Sequence, residues 1–423
     1  MRWDSVPDLC ESAAISKAVY TFDADPFLRD GWQDISINLG PDVASGMNAD
    51  TVSPRILLKY RAVRRALECR TSLRRNFIIG ARQLYSGNCV KSMCMIKPLS
   101  GGRFLCCISF MGSVQVDDWL ANFDLMIENG LHRGFLRRAL AFEEREKDIV
   151  FPHTAARIGH RTLTLRDIIE RCAGPRSPFR LYITGHSLGA ATMQAYIYRL
   201  LTERGLPADC MRGIGFASPS VAMPSAAGMR RSWPIRHVLN SADVVPHMGA
   251  RVHLGQCVTY PADAALAMHC YSYSDDDVSV RTRRTVRPLY NALSDTGTCI
   301  CAFLALMQII IDTPPEEVLP VLGRLQKRWP GLQRIINVGD RQADRLNRRL
   351  QGRLRTAHLA MFGAYPADER IDAFREQLAD IIGRIGLQST LSTLGQMAAA
   401  AHSMSKVYPW IAQKLEQGME VNG

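Results

Sequence analysis

The stretch RLYITGHSLGAATMQAY, which begins at Arg180, holds Ser187 between Gly185 and Gly189, where an apolar run gives way to an alanine-rich segment. A serine hydroxyl at the point where a strand becomes a helix can act as a nucleophile. The turn is too sharp to admit a Cβ on either side, so glycines flank it, the hydroxyl stands clear of the sheet, and the next backbone N–H faces the reaction centre. The helix N-terminus behind the turn favours the negative charge that develops in acyl transfer. The plain alternative is a glycine-flanked serine in an ordinary turn. The apolar run before it and the helical pattern after it favour the nucleophile.

A serine needs a base, and the base needs an orienting acid. Downstream, HVLNSADVVPHM places Asp243 just beyond a strand, where α/β sheets carry catalytic groups. Asp263, Asp275, Asp276 and Asp277 lie in loop-like sequence without that placement. Among the nearby histidines, His237 sits inside a strand pattern and His247 is four residues from Asp243, too close for a separate loop. His253 and His269 remain, and spacing does not separate them.

The elements that must carry these groups are legible. RFLCCISF (Arg103–Phe110), FRLYIT (Phe179–Thr184), MRGIGFA (Met211–Ala217) and PIRHVLN (Pro234–Asn240) read as buried strands. Ala190 to Arg204 reads as a helix that stops at Gly205, with Pro207 beyond. Strand, helix, strand is a βαβ unit and implies a parallel sheet. Beyond the 280s the pattern turns helical and strand-poor.

The chain has 423 residues, 47% of them hydrophobic, which is ample for a sizeable core, and 22% charged. Its net charge of +12 suits anionic partners without choosing among them. The twelve cysteines are scattered, several in apolar runs, and read as buried free thiols of a chain that folds in a reducing compartment. No ligand spacing suggests a metal, and no cofactor is implied. The N-terminal residues lack a signal-peptide pattern. The longest apolar run, Thr296 to Ile311, falls short of the roughly 20 residues of a spanning helix and reads as a buried helix.

Several segments, in order, resemble the lipase class 3 family, α/β-hydrolases that include secreted fungal lipases and plant acyl hydrolases. GHSLGAA resembles its GHSLGGA, GFASPSVAM its GSPRVGN, and VLNSADVVPHM its VNxxDxVPxL, whose aspartate is the catalytic acid. Upstream, ISFMGSVQVDDWLANFD is similar to FRGTxSxxDWLxD, LHRGFL to HxGF, and AAISKAVY to the family's opening helix. Met111 stands where the family usually has arginine, and Ala190 replaces a glycine. The resemblance implies an α/β-hydrolase with a mostly parallel central sheet, extended at its C-terminus by helices. It implies Ser187, Asp243 and, because HCYSY resembles the family's terminal HxxY, His269 as the triad, with His253 structural. It also implies an oxyanion hole from the N–H groups of Ser113 and Leu188. Val116, Trp119, Leu120 and Phe123 would line a lid, an ordinary buried helix being the equal alternative.

The expected division is a hydrolase domain at 1–285 and a helical region at 286–423. Gly323–Arg355 is strongly basic and, as an amphipathic helix, would suit an anionic membrane surface. A solvated face packed on the hydrolase is the plainer reading, and no nucleic-acid motif accompanies the charge. The expected activity is hydrolysis of carboxylic esters of lipids at an interface, of acylglycerol or phospholipid type. An acyltransferase on the same fold, or a membrane- or partner-binding protein with a hydrolase shell, are the alternatives. The expected locations are the cytoplasm, or the target cell of a bacterial effector exported without a classical signal peptide.

Overall fold

The computed structural model describes residues 7–21, 25–38, 90–112, 126–228, 233–261, 263, 265–266, 269, 280–313 and 340–421. The chain opens with helix α1 (Leu9–Thr21). Strands β1 (Gln33–Asn38), β2 (Ser92–Leu99) and β3 (Arg103–Phe110) follow, then the small β4 (Ile127–Glu128) and β5 (Leu131–His132) pair. Helices α2 (Arg133–Glu143) and α3 (Leu165–Cys172) lead to β6 (Phe179–His186), α4 (Leu188–Thr202), β7 (Met211–Phe216), β8 (Ile235–Asn240) and β9 (Gln256–Tyr260). Beyond lie α5 (Val280–Ala292), α6 (Thr296–Asp312), α7 (Asp340–Phe362), α8 (Asp368–Ile385), α9 (Leu387–Ala401) and α10 (Val407–Val421).

Among the described residues, seven strands form one sheet in the order β1-β2-β3-β6-β7-β8-β9. The first three are antiparallel and the run from β3 to β9 is parallel. This is an α/β-hydrolase-type fold with a mostly parallel central sheet. The central strands are largely buried because helices cover both faces, as parallel sheets require. On one face, Leu181 and Ile183 of β6 join Met193, Ile197 and Leu201 of α4 in the main core.

The other face of β6 meets α1 through polar side chains. Tyr182 donates to Ser12, the Ser16 and Thr184 hydroxyls are 2.7 Å apart, and Tyr20 lies 2.9 Å from His186 Nδ1. Four residues of helix rise about 6 Å and two residues of strand about 6.6 Å, so an i, i+4, i+8 row on a helix can stay in step with alternate residues of a strand. Ser12, Ser16 and Tyr20 keep that step with Tyr182, Thr184 and His186.

The C-terminal helices build two further apolar clusters. One joins α5, α6, α7, α8 and α9 through Leu289, Ile300, Leu304, Leu354, Phe374 and Met397. The other packs Val407, Tyr408, Ile411 and Ala412 of α10 against Leu9 and Ala13 of α1 and Phe216 and Val238 of the sheet. The apolar run at Thr296–Ile311 is α6, with Ile300, Cys301, Leu304 and Ala305 buried. No helix among the described residues is long and apolar enough to cross a membrane. The nine described cysteines are all free.

Candidate active site

Ser187 links β6 to α4 with φ 59° and ψ −130°, a conformation that L-residues avoid, at a cost of about 1–3 kcal/mol. The surroundings enforce it. The Ser187 N–H donates to the Phe216 carbonyl at 2.9 Å. A Cβ on Gly185 would lie 2.6 Å from the Gly189 backbone, and one on Gly189 would lie 2.2 Å from the Phe110 carbonyl oxygen. Gly112 is equally confined: its Cβ would meet the Tyr20 hydroxyl at 2.0 Å and Ser187 Cβ at 3.1 Å. These glycines let β3, β6 and α4 converge on the serine. Ser187 is 8% exposed. Leu188 opens α4, so its N–H is one of those a helix leaves without an internal partner.

Asp243 lies just past β8 and is 1% exposed. Its Oδ1 accepts from the Val245 N–H at 3.0 Å. Its Oδ2 accepts from the Tyr408 hydroxyl at 2.8 Å and from His402 Nδ1 at 2.7 Å. Tyr408 is fully buried, and burial together with the adjacent Asp243 carboxylate raises its pKa well above 10.0, which keeps the hydroxyl a donor. Donation from Nδ1 fixes the His402 tautomer and leaves Nε2 as the nitrogen able to accept a proton.

The histidine on Asp243 is therefore His402, and His269 does not take that place. His269 donates from Nε2 to the Lys406 carbonyl at 3.2 Å and stacks on Trp410 with ring centroids 4.6 Å apart. The reason lies in the path of the chain. His402 caps the end of α9, 159 residues beyond Asp243, and α9 and α10 bring it back to the ends of β6 and β8. Asn240, the last residue of β8, donates to the Ala401 carbonyl at 2.9 Å. His253 donates from Nε2 to the Ser218 carbonyl at 2.7 Å and is held neutral by burial, and His237 donates to the Leu254 carbonyl at 2.9 Å. Ser113, Val116, Trp119, Leu120 and Phe123 lie outside the described residues. Sequence reasoning missed His402 and Tyr408. The available signal was HSMSKVY, a histidine closely followed by a tyrosine near the C-terminus.

The family model Lipase (class 3) matches residues 107–253, a span holding Ser187 and Asp243 that ends well before His402. A search of curated proteins gives no match. Among solved structures, the chain is similar to a triacylglycerol lipase whose catalytic centre is described as a serine protease triad. That likeness has 21% identity over 37% of this chain and 55% of that one, with a TM-score of 0.27. It is similar to the Rhizomucor miehei lipase in its propeptide complex, at 21% identity over 37% of this chain and 47% of that one, TM-score 0.27. It is also similar to the nonglycosylated LIP2 lipase of Yarrowia lipolytica, at 14% identity over 41% and 62%, TM-score 0.27. The chain thus spans about half the length of the first two lipases it matches.

Proposed function

We propose that this protein is a serine hydrolase of lipid carboxylic esters whose triad is Ser187, His402 and Asp243. The observation that carries the reading is the 2.7 Å bond between His402 Nδ1 and a buried Asp243, with the His402 ring 4.6 Å from that of His186, the residue before a serine held at positive φ. The match of residues 107–253 to Lipase (class 3) supports ester hydrolysis.

Ser187 Oγ attacks the ester carbonyl as His402 Nε2 takes its proton, and Asp243 stabilises the imidazolium that forms. The Leu188 N–H, at the positive end of α4, donates to the tetrahedral oxyanion, and the family resemblance implies Ser113 as the residue of the second donor. His402 then returns the proton to the leaving alcohol, and water, deprotonated by His402, releases the acid from the acyl-serine. The substrate is an acylglycerol or the acyl ester of a phospholipid. An intact set of nucleophile, base and acid favours an enzyme over an inert hydrolase shell.

The test incubates wild type and Ser187→Ala with vesicles of mixed phospholipid and triacylglycerol and reads the products by mass spectrometry. Fatty acid from wild type alone is the expected result, with lysolipid or diacylglycerol naming the substrate class. Transfer of acyl groups to an added alcohol in preference to water would instead make the protein an acyltransferase. Equal, null release from both proteins would sink the reading.

A further inference from the structure

His186, the residue before the nucleophile, takes no chemical step in the triad, yet it is buried and bonded on both ring nitrogens. Nε2 lies 3.0 Å from the main-chain oxygen of His402, and Nδ1 lies 2.9 Å from the Tyr20 hydroxyl. A carbonyl oxygen can only accept, so Nε2 carries the proton. Burial, reinforced by the neighbouring His402, pushes the His186 pKa well below 6.5 and keeps the ring neutral, so Nδ1 holds a lone pair and Tyr20 is the donor to it. The relay runs one way: Tyr20 O–H to His186 Nδ1, then His186 Nε2–H to the His402 carbonyl.

What that carbonyl needs is plain from its position. His402 follows the last residue of α9, with φ −90° and ψ 4°. Carbonyls at a helix C-terminus lack partners within the helix and must be met from outside. Two side chains from the sheet meet them here: Asn240 Nδ2–H holds the Ala401 carbonyl, and His186 Nε2–H holds that of His402. The two imidazoles then sit 4.6 Å apart, which ties the base to the residue that adjoins the nucleophile.

The geometry points to His186 as a positioning residue that fixes the main chain of His402 against the nucleophile turn, with Tyr20 selecting the tautomer that allows it. This rests on the reading of His402 as the base. Loss of the bond leaves the His402 carbonyl without this partner and lets the base drift from Ser187, so the deficit belongs in the chemical step and not in substrate binding.

The experiment uses the full-length chain and measures the rate at which a fluorophosphonate probe labels the serine, together with kcat and KM on a short p-nitrophenyl ester. His186→Leu is expected to slow labelling and kcat by about tenfold to a hundredfold with KM within about twofold. His186→Gln, whose Nε2 amide can donate from the same reach, is expected to recover labelling to within about threefold of wild type. Tyr20→Phe is expected to fall between the two. A folded H186L that labels at the wild-type rate overturns the proposal, as does H186Q no faster than H186L, which would reduce the ring to packing. Should H186L fail to fold, the 15N histidine spectrum of wild type decides: a neutral His186 protonated on Nε2 supports the relay, and protonation on Nδ1 ends it. Ser187→Ala separates the two readings. No difference in labelling between S187A and wild type removes the triad itself, whereas Ser187-dependent labelling that ignores residue 186 removes only the relay.

Discussion

At the scale of single residues, the assignment turns on which histidine shares a proton with Asp243. His402→Ala is expected to lower kcat/KM by about 10³-fold or more, the size of loss seen when a triad member is removed. His269→Ala, which breaks a bond to the Lys406 carbonyl and a stack on Trp410, should leave kcat/KM within about threefold of wild type. Ester hydrolysis by the two purified variants is the check, and the reverse ranking would return the base to His269. Tyr408 belongs to the same scale. Its hydroxyl is one of three donors on Asp243, and burial beside that carboxylate raises its pKa, which keeps it a donor. Tyr408→Phe leaves Oδ2 with His402 alone, so a fall in kcat of about tenfold is expected, with KM unchanged. An unaltered kcat in Y408F would show that the Val245 N–H and His402 suffice to hold the carboxylate.

At the scale of elements, the site exists because three pieces of backbone approach more closely than any side chain permits. Gly189→Ala would set a Cβ 2.2 Å from the Phe110 carbonyl oxygen, and neither β3 nor α4 can retreat without opening the core. A loss of about 3 kcal/mol or more is expected, read as a lowered urea midpoint together with lost activity. Gly352→Ala is the matched control. Its Cβ meets nothing within 4 Å on the exposed face of α7, and about 0.5–1 kcal/mol of stabilisation is expected from the helix propensity alone. If the two substitutions cost the same, close approach is not what the Gly185–Gly189 turn requires. The same elements show why part of the site was legible in the sequence. β3, β6, β7 and β8 are short apolar runs bounded by turn residues, and Ser187 and Asp243 sit at strand ends, so local pattern finds them. His402 sits after an alanine-rich helix, with the nearby Tyr408 as its one local cue, and it is tertiary packing, through Asn240 and Tyr408, that places it. Periodicity carries no information about a contact made across 159 residues.

At the scale of the whole molecule, the proposed triad straddles the boundary expected at residue 285. Ser187 and Asp243 lie before it, His402 and Tyr408 after it, and α10 packs on α1, so the last helix closes on the first. Folding buries histidines on both faces of the sheet, His186 against α1 and the end of α9 and His237 beside α4, and acid should oppose that burial. His186, His247 and His253 all have pKa values lowered by burial, and His237 is pushed down to about 3 from 6.5. A base whose folded pKa is depressed binds fewer protons in the native state than in the unfolded one. Its contribution is complete above pH 6.5 and is lost as the pH falls from there toward the folded value. Stability is therefore expected to be flat above about pH 7 and to fall below it by up to about 1.4 kcal/mol per pH unit for each such histidine. Asp295, whose pKa is lowered from 3.8 by its bonds to Thr298, contributes only at still lower pH, so the windows separate. Urea unfolding at about pH 7, 6 and 5 reads the slope, and His237→Gln tests its origin. The amide keeps the donation to the Leu254 carbonyl but cannot take a proton, so it should flatten the slope by one proton. A slope that survives H237Q unchanged would mean that the unfolded chain, and not the buried histidine, sets the acid response.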